Sequence, residues 1–153
     1  MANFAIALAQ INSTVGDIAG NTEKIISTYD DAFAKGAELV VFPELCLIGY
    51  PPEDLVLVSA FRAAAMQALS ELAKHTVGKA AMIVGSVWDN ALVTSGEDES
   101  IYNAAILLEA GSVTHVQPKT LLPNYGIFDE KRLFDSEVPE VIGWRGHKLG
   151  VLV

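Results

Sequence analysis

Glu44 and Lys119 are the two residues whose types and settings point most clearly to chemistry. Glu44 follows Pro43 at the end of the short apolar run Leu39–Phe42, and Lys119 follows Pro118 at the end of a second run of strand length. Strand ends at the edge of a sheet are where α/β folds tend to place functional side chains. Brought together there, a carboxylate and a lysine would supply a general base and a fixed cation for an oxyanion. Spacing does not show that they meet, so each keeps an alternative: Glu44 as an exposed strand-end acid, and Lys119 as a solvated loop lysine.

The only cysteine, Cys46, lies two residues beyond Glu44 and so on the same side of an extended chain. A thiol beside a carboxylate is typical of a nucleophile with its base. The neighbours Leu45, Leu47 and Ile48 are apolar, however, and such surroundings raise the pKa of a thiol and make it unreactive. We therefore predict that Cys46 is a small core residue and not the nucleophile.

The elements that must position these residues are those of an α/β domain. Strand, helix and strand follow one another at the start of the chain, and such a unit favours a right-handed parallel crossover. Asn21 is predicted to cap the first helix, which Gly36 ends. The patterns predict strands over residues 4–11, 39–42, 80–87, 101–108, 112–117 and 149–153, and helices over 21–35 and 59–75. The long segment 118–139 has turn residues without clear periodicity, which is more typical of a functional loop than of filler.

The composition excludes several classes of partner and site. A net charge of −9 argues against nucleic acid and anionic membranes, because neither attracts an acidic surface. A single cysteine cannot form an internal disulfide, which fits a reducing compartment. No run approaches the ~18 apolar residues of a membrane helix, and no basic lead precedes the first apolar stretch, so we predict a cytoplasmic protein. His75, His115 and His147 have no Cys or His partner at ligand spacing, and we predict no metal site.

Four stretches of the sequence together resemble a known family. Val41–Leu45 and Lys119–Pro123 resemble the first two signatures of the nitrilase, or carbon–nitrogen hydrolase, superfamily. Gly49–Leu55 and Pro123–Arg132 look like the glutamine-amidase domain of the glutamine-dependent NAD(+) synthetases. Each signature is moderately specific, and four in this order are strong. The resemblance extends over the whole chain.

The resemblance implies a fold and a site. The fold would be a nitrilase-type α-β-β-α sandwich of the α/β class, incomplete at the C-terminus, and the site a Glu-Lys-Cys triad. Glu44 matches the general base, Lys119 the lysine that stabilises the tetrahedral intermediate, and Glu130 a second acid that helps to hold the site. Tyr125 and Phe128 match positions that line the glutamine pocket, and Tyr50 falls in a segment that approaches it.

The family pattern also implies what lies outside the chain. The family's nucleophile directly follows a strand that resembles Lys148–Val153, so it would come next after Val153. Residues 1–153 would then be the N-terminal part of a glutaminase domain, without the synthetase domain to which ammonia from glutamine is passed. ATP and magnesium would belong to that synthetase domain, with no cofactor in this one, and the 153 residues alone would be inactive. The resemblance further implies a homo-oligomer. With the last strands of the domain missing, the chain on its own should expose apolar sheet and a sheet edge, and we predict that it is poorly soluble.

Two other readings remain open at the level of sequence. One is a stand-alone amidase of the same superfamily, without an ammonia relay. Tyr50–Asp54 and Phe128–Arg132 argue against it because they resemble the synthetase-linked domain. The other is a non-catalytic interaction module that keeps the fold and has lost the nucleophile.

Overall fold

The computed structural model of the protein describes residues 4–153, which form a mixed α/β fold. Its centre is a five-stranded sheet with the strand order β1-β2-β3-β4-β5. The first three strands are parallel, and the last two are antiparallel additions. The strands of this sheet are β1 (Ile6–Leu8), β2 (Leu39–Val41), β3 (Ala81–Asp89), β4 (Ile101–Glu109) and β5 (Ser112–Pro118). The remaining elements are α1 (Ile18–Ala34), α2 (Ser59–His75), α3 (Glu130–Leu133), β6 (Val141–Trp144) and β7 (His147–Gly150).

The main core lies between the sheet and the helices α1 and α2. Ile25 and Tyr29 of α1 and Leu69 and Leu72 of α2 are buried against the apolar side chains of β2, β3 and β4. The hydroxyl of Tyr29 donates a hydrogen bond of 2.6 Å to the backbone oxygen of Ala80. Because that hydroxyl has a partner, the ring can be buried without leaving a polar group unsatisfied.

The opposite face of the sheet is covered in part by the antiparallel hairpin β6–β7. Trp144 of the hairpin packs with Leu39, Ile83 and Leu107 of the sheet. Helices, sheet and hairpin are three successive layers, so the described residues contain three of the four layers predicted for an α-β-β-α sandwich. Among the same residues, no helix is long and apolar enough to cross a membrane.

Helix α1 begins earlier than the sequence predicted. Its N-cap is Asp17, whose side chain accepts a hydrogen bond of 3.0 Å from the backbone of Gly20. Asn21, the predicted cap, is buried inside the helix, and its amide donates to the backbone oxygens of Thr14 and Leu47 at 2.8 and 3.1 Å. The prediction was wrong because an asparagine can satisfy a neighbouring loop as well as its own helix end.

Two predicted strands also differ from the structure. The first is only Ile6–Leu8, and Ile6 and Leu8 are exposed where the sequence predicted a buried strand. The last is His147–Gly150 in place of 149–153, because the turn at Arg145 and Gly146 pairs it with β6. The prediction about a leader peptide rests partly on residues 1–3, which lie outside the described residues.

Candidate active site

Glu44 sits on a tight turn that packs directly on strand β3. The turn begins where β2 ends, and Leu45 adopts a φ of 46°, in the left-handed region that non-glycine residues rarely occupy. A Cβ on Gly85 of β3 would lie 2.3 Å from the backbone oxygen of Pro43. Only glycine therefore allows the turn to approach β3 so closely. The carboxylate of Glu44 projects from this turn and is 36% exposed.

Lys119 reaches the same place from the far end of the β4–β5 hairpin. The antiparallel register places Pro118 opposite Ala104, and the backbone N–H of Lys119 donates to the oxygen of Asn103 at 2.8 Å. The side chain of Lys119 is only 10% exposed. Its Nζ lies 2.7 Å from Oε1 of Glu44, so the two residues that the sequence could not show to meet are in direct contact.

Glu130 closes the cluster from the other side of Lys119. It opens the short helix α3, within a loop that leaves β5 and returns beside β4 at Asp135. Nζ of Lys119 lies 3.0 and 3.2 Å from the two carboxylate oxygens of Glu130, whose side chain is buried. The ammonium group is thus held between two carboxylates, one partly exposed and one buried.

The surroundings of Lys119 keep its ammonium group charged. Burial taken alone would lower the pKa of Lys119, because desolvation disfavours the charged form. Hydrogen bonds to Glu44 and Glu130, together with their negative charges, outweigh that effect and raise the pKa of Lys119 above its ordinary value of 10.5. Lys119 is therefore a fixed cation at neutral pH.

The three predicted pocket residues lie near this cluster in different settings. Tyr50 and Phe128 line a cleft of about 400 Å³, and Glu130 is the member of the charged cluster that lines it with them. The hydroxyl of Tyr50 is 3.5 Å from Oε1 of Glu130, and its pKa is raised by burial and then by the charges of Glu130 and Glu44. Tyr125 lies outside the lining of this cleft, is largely exposed and meets the ring of Phe128 edge-on at 5.5 Å.

Asn103 also belongs to the cluster, and it is not among the site residues predicted from the sequence. It is completely buried in β4, and its Nδ2 donates a hydrogen bond of 2.6 Å to Oε1 of Glu44. The available signal was an amide side chain in a strand whose other positions between Ile101 and Leu108 are apolar or aromatic. Such a residue needs a hydrogen-bond partner when it is buried, and here that partner is Glu44.

Cys46 is separate from the cluster. It is buried, its Sγ points to the backbone oxygen of Gly85 at 3.6 Å, and burial raises the pKa of its thiol to about 12. The predicted core position of Cys46 is confirmed. Among residues 4–153, no group of three or more His, Cys, Asp or Glu side chains is placed to hold a metal ion.

Relatives of this chain include enzymes that are much longer than its 153 residues. A glutamine-dependent NAD(+) synthetase of Synechocystis sp. is 39% identical over 151 residues, which are 98% of this chain and 27% of that protein. The corresponding enzyme of Acinetobacter baylyi is 36% identical over 154 residues, 100% of this chain and 27% of its own length. The chain thus spans about a quarter of the length of these relatives.

Solved structures of two enzymes match this chain over nearly its whole length. A glutamine-dependent NAD(+) synthetase of Acinetobacter baumannii in complex with ADP matches with a TM-score of 0.86 and 39% identity, over 97% of this chain and 27% of that one. An amidase variant from Nesterenkonia sp. AN1, which shows the result of Michael addition of acrylamide at the active-site cysteine, matches with a TM-score of 0.76 and 27% identity. That match covers 98% of this chain and 57% of the amidase.

The family profile described as carbon-nitrogen hydrolase matches residues 5–153. It therefore includes every residue of the cluster described above. The chain belongs to the carbon-nitrogen hydrolase family.

Proposed function

We propose that this chain is the front part of a glutamine-amidase domain that hydrolyses the side-chain amide of glutamine. The ammonia would pass to a synthetase domain beyond residue 153 and be used in ATP-dependent, magnesium-requiring synthesis of NAD(+) from its deamidated precursor. The observation that carries the proposal is the contact of Lys119 with both Glu44 and Glu130. The similarity to NAD(+) synthetases over nearly the whole chain supports this choice of substrate.

The nucleophile in this proposal is a cysteine beyond residue 153. Cys46 is unsuited to the role, because a buried thiol with a pKa of about 12 stays protonated at neutral pH. The Nesterenkonia amidase carries an active-site cysteine, and its fold matches this chain closely. The extended protein is the chain continued past residue 153 to include the proposed synthetase domain.

The proposed reaction assigns the proton transfers to Glu44 and the stabilisation of negative charge to Lys119. Glu44 takes the proton from the thiol, and the thiolate attacks the amide carbon of glutamine. Lys119 stabilises the negative charge that develops on the former carbonyl oxygen. Glu44 then gives its proton to the amide nitrogen, which leaves as ammonia while a thioester forms. Water deprotonated by Glu44 cleaves the thioester, and glutamate and the free thiol result.

Glu130 has a supporting part in this scheme. Its buried carboxylate lies against the side of Lys119 that Glu44 leaves open, so it fixes the position of Nζ and keeps the ammonium charged. A cation that is already in place needs no rearrangement when the oxyanion forms. Glu130 also borders the cleft with Tyr50 and Phe128, which makes it the link between the cluster and the space proposed for glutamine.

The test is a comparison of amide substrates in the extended protein. We expect glutamine to be hydrolysed with a kcat/KM at least about tenfold above that for acetamide or propionamide, because the cleft is lined by the exposed ion pair of Asp54 and Arg132, which offers one charge of each sign to an amino acid. Ammonia and glutamate would be measured in the same reactions. Equal or better hydrolysis of the simple amides would contradict the assignment of glutamine.

A stand-alone amidase is the second candidate. The match to the Nesterenkonia amidase favours it, because this chain covers 57% of that amidase but only 27% of the Synechocystis NAD(+) synthetase. The same panel of amides decides between the two candidates, because an amidase without a relay would accept simple amides and would release ammonia without any response to ATP and the deamidated dinucleotide.

A further inference from the structure

Asn103 is a buried side chain for which the reaction scheme has given no role. Its Nδ2 and the Nζ of Lys119 both donate to the same oxygen of Glu44, Oε1, at 2.6 and 2.7 Å. With Oε1 occupied twice, Oε2 is the oxygen left to exchange protons with a substrate or thiol. We propose that Asn103 is a positioning residue that fixes Glu44 so that Oε2 is the oxygen that exchanges protons. This inference rests on the proposed function.

The fold gives Asn103 two contacts to the cluster at once. Its side chain holds Glu44, and its backbone oxygen accepts the N–H of Lys119 at 2.8 Å. Asn103 pairs across the sheet with Val87 of β3, two residues beyond the Gly85 on which the turn of Glu44 packs. One rigid strand position thereby sets the base and the cation relative to each other.

The orientation of the amide follows from charge. If the amide were rotated by 180°, Oδ1 would face the carboxylate of Glu44, and two acceptors would oppose each other. With Nδ2 toward Glu44, Oδ1 is buried and has no hydrogen-bond partner among the described residues. An unsatisfied buried acceptor destabilises the fold, so an apolar side chain would suit the strand better if Asn103 had only a packing role.

Asn103 lies outside the cleft that Tyr50 and Phe128 line, and this makes its role separable from substrate binding. The charged and titratable groups that contact Glu44 or its partners are Lys119, Glu130 and Tyr50. None of them would be removed by a substitution at position 103. A fall in kcat with an unchanged KM after such a substitution would therefore report on the position of Glu44.

The first test is steady-state hydrolysis of glutamine by the extended protein. In Asn103→Leu we expect kcat to fall by at least about tenfold and KM for glutamine to stay within about twofold, because Glu44 has lost the donor that fixes its carboxylate. Ser86→Ala is the control. Ser86 is also buried, its hydroxyl has no hydrogen-bond partner among residues 4–153, and it lies on the same face of β3 as Met82 and Val84, which pack in the helix-side core.

The second test does not depend on activity. It is a double-mutant cycle on the free energy of unfolding. Asn103→Leu should lower this free energy in the wild type. In a Glu44→Ala background the same substitution should have a much smaller effect, or the opposite effect. A wild-type kcat in a folded Asn103→Leu variant, or simple addition of the two stability effects, would overturn the inference. An inactive wild type would contradict the proposed function and leave the cycle to decide the role of Asn103.

Discussion

At the scale of single residues, the site depends on where the positive charge of Lys119 is placed. An ammonium group between two carboxylates is a poor proton donor and a good fixed charge, because both neighbours favour its protonated form. That suits stabilisation of an oxyanion better than proton transfer. Glu44 is the more exposed of the two acids, and it is therefore the one that we assign to proton exchange.

Removal of the charge of Lys119 should destabilise the fold in a way that depends on pH. A lysine whose pKa is higher in the folded than in the unfolded chain stabilises the fold below its ordinary pKa of 10.5 and loses that contribution as pH rises through the folded value. We expect Lys119→Met to lower the free energy of unfolding by about 2–3 kcal/mol at neutral pH, since Glu130 stays buried without its partner.

Chemical denaturation of wild type and Lys119→Met between pH 8 and about pH 11 would measure this contribution. The difference between the two proteins should shrink above the ordinary pKa of lysine, 10.5. Lys148→Met, at an exposed lysine of β7, is the control and should differ little from wild type throughout. A difference for Lys119→Met that is constant with pH would mean that packing, and not charge, explains its effect.

At the scale of elements, the sheet register brings the site together. Strand β3 supports the turn of Glu44 at Gly85, and the register of β4 with β5 places Lys119 beside Asn103. The loop between β5 and β6 then adds Glu130 and returns beside β4 at Asp135. Because the supports are backbone contacts within one sheet, the site should respond to changes that shift a strand by less than an ångström.

Gly85→Ala tests this dependence on close backbone approach. The new Cβ would lie 2.3 Å from the backbone oxygen of Pro43, so the turn of Glu44 must move away from β3. We expect a loss of about 1–3 kcal/mol in the free energy of unfolding and a fall of about 10²-fold in kcat for glutamine in the extended protein. Gly143→Ala is the matched control, since a Cβ at that position in β6 meets nothing within 4 Å.

Equal behaviour of the two glycine variants would contradict this account of the turn. Loss of stability in Gly85→Ala with an unchanged kcat would mean that the turn relaxes without displacing Glu44. The measurements are thermal melting and initial rates of glutamate release.

At the scale of the whole molecule, one face of the sheet is only partly covered. The hairpin β6–β7 packs over Leu39, Ile83 and Leu107, but Ile6 and Leu8 of the edge strand β1 are 53% and 75% exposed. An edge strand with exposed apolar side chains is prone to pair with another chain. This agrees with the expectation that residues 1–153 alone have an apolar surface that needs to be covered, and the homo-oligomer that the resemblance implies stays a proposal for the longer protein.

We expect the 153-residue chain to self-associate in a way that depends on concentration. Sedimentation velocity would measure the association, and Leu8→Lys should reduce it at least about tenfold by placing a charge on the exposed face. Leu92→Lys is the control, because Leu92 is also exposed, at 52%, and lies in a short 3-10 helix after β3 and not in β1. A monodisperse monomer for the wild-type chain, or equal effects of the two substitutions, would contradict the role of β1.

Much of this architecture could be predicted from local sequence. Helical spacing of apolar residues predicted α1 and α2, and the prolines before Glu44 and Lys119 marked the strand ends at which functional side chains are common. The apolar neighbours of Cys46 predicted its burial, since they exclude water from the thiol. These features depend on residues close in sequence.

The remaining features depend on contacts between distant segments. No local pattern showed that Asn103 would donate to Glu44, 59 residues earlier in the chain, because only the sheet register brings them together. Asn21 was assigned to the wrong position in α1 because its partners, Thr14 and Leu47, belong to two loops. The exposure of Leu8 was equally hidden, since an apolar strand has the same pattern whether or not another layer covers it.

The most direct test of the proposed site is the release of glutamate from glutamine by the extended protein, compared with its Glu44→Gln and Cys46→Ala variants. We predict that Glu44→Gln lowers kcat by about 10²–10⁴-fold, since a general base is lost, and that Cys46→Ala keeps kcat within about twofold of wild type. Loss of activity in a folded Cys46→Ala variant, or near wild-type activity in Glu44→Gln, would contradict the assignment of Glu44, Lys119 and a cysteine beyond residue 153 as the reacting groups.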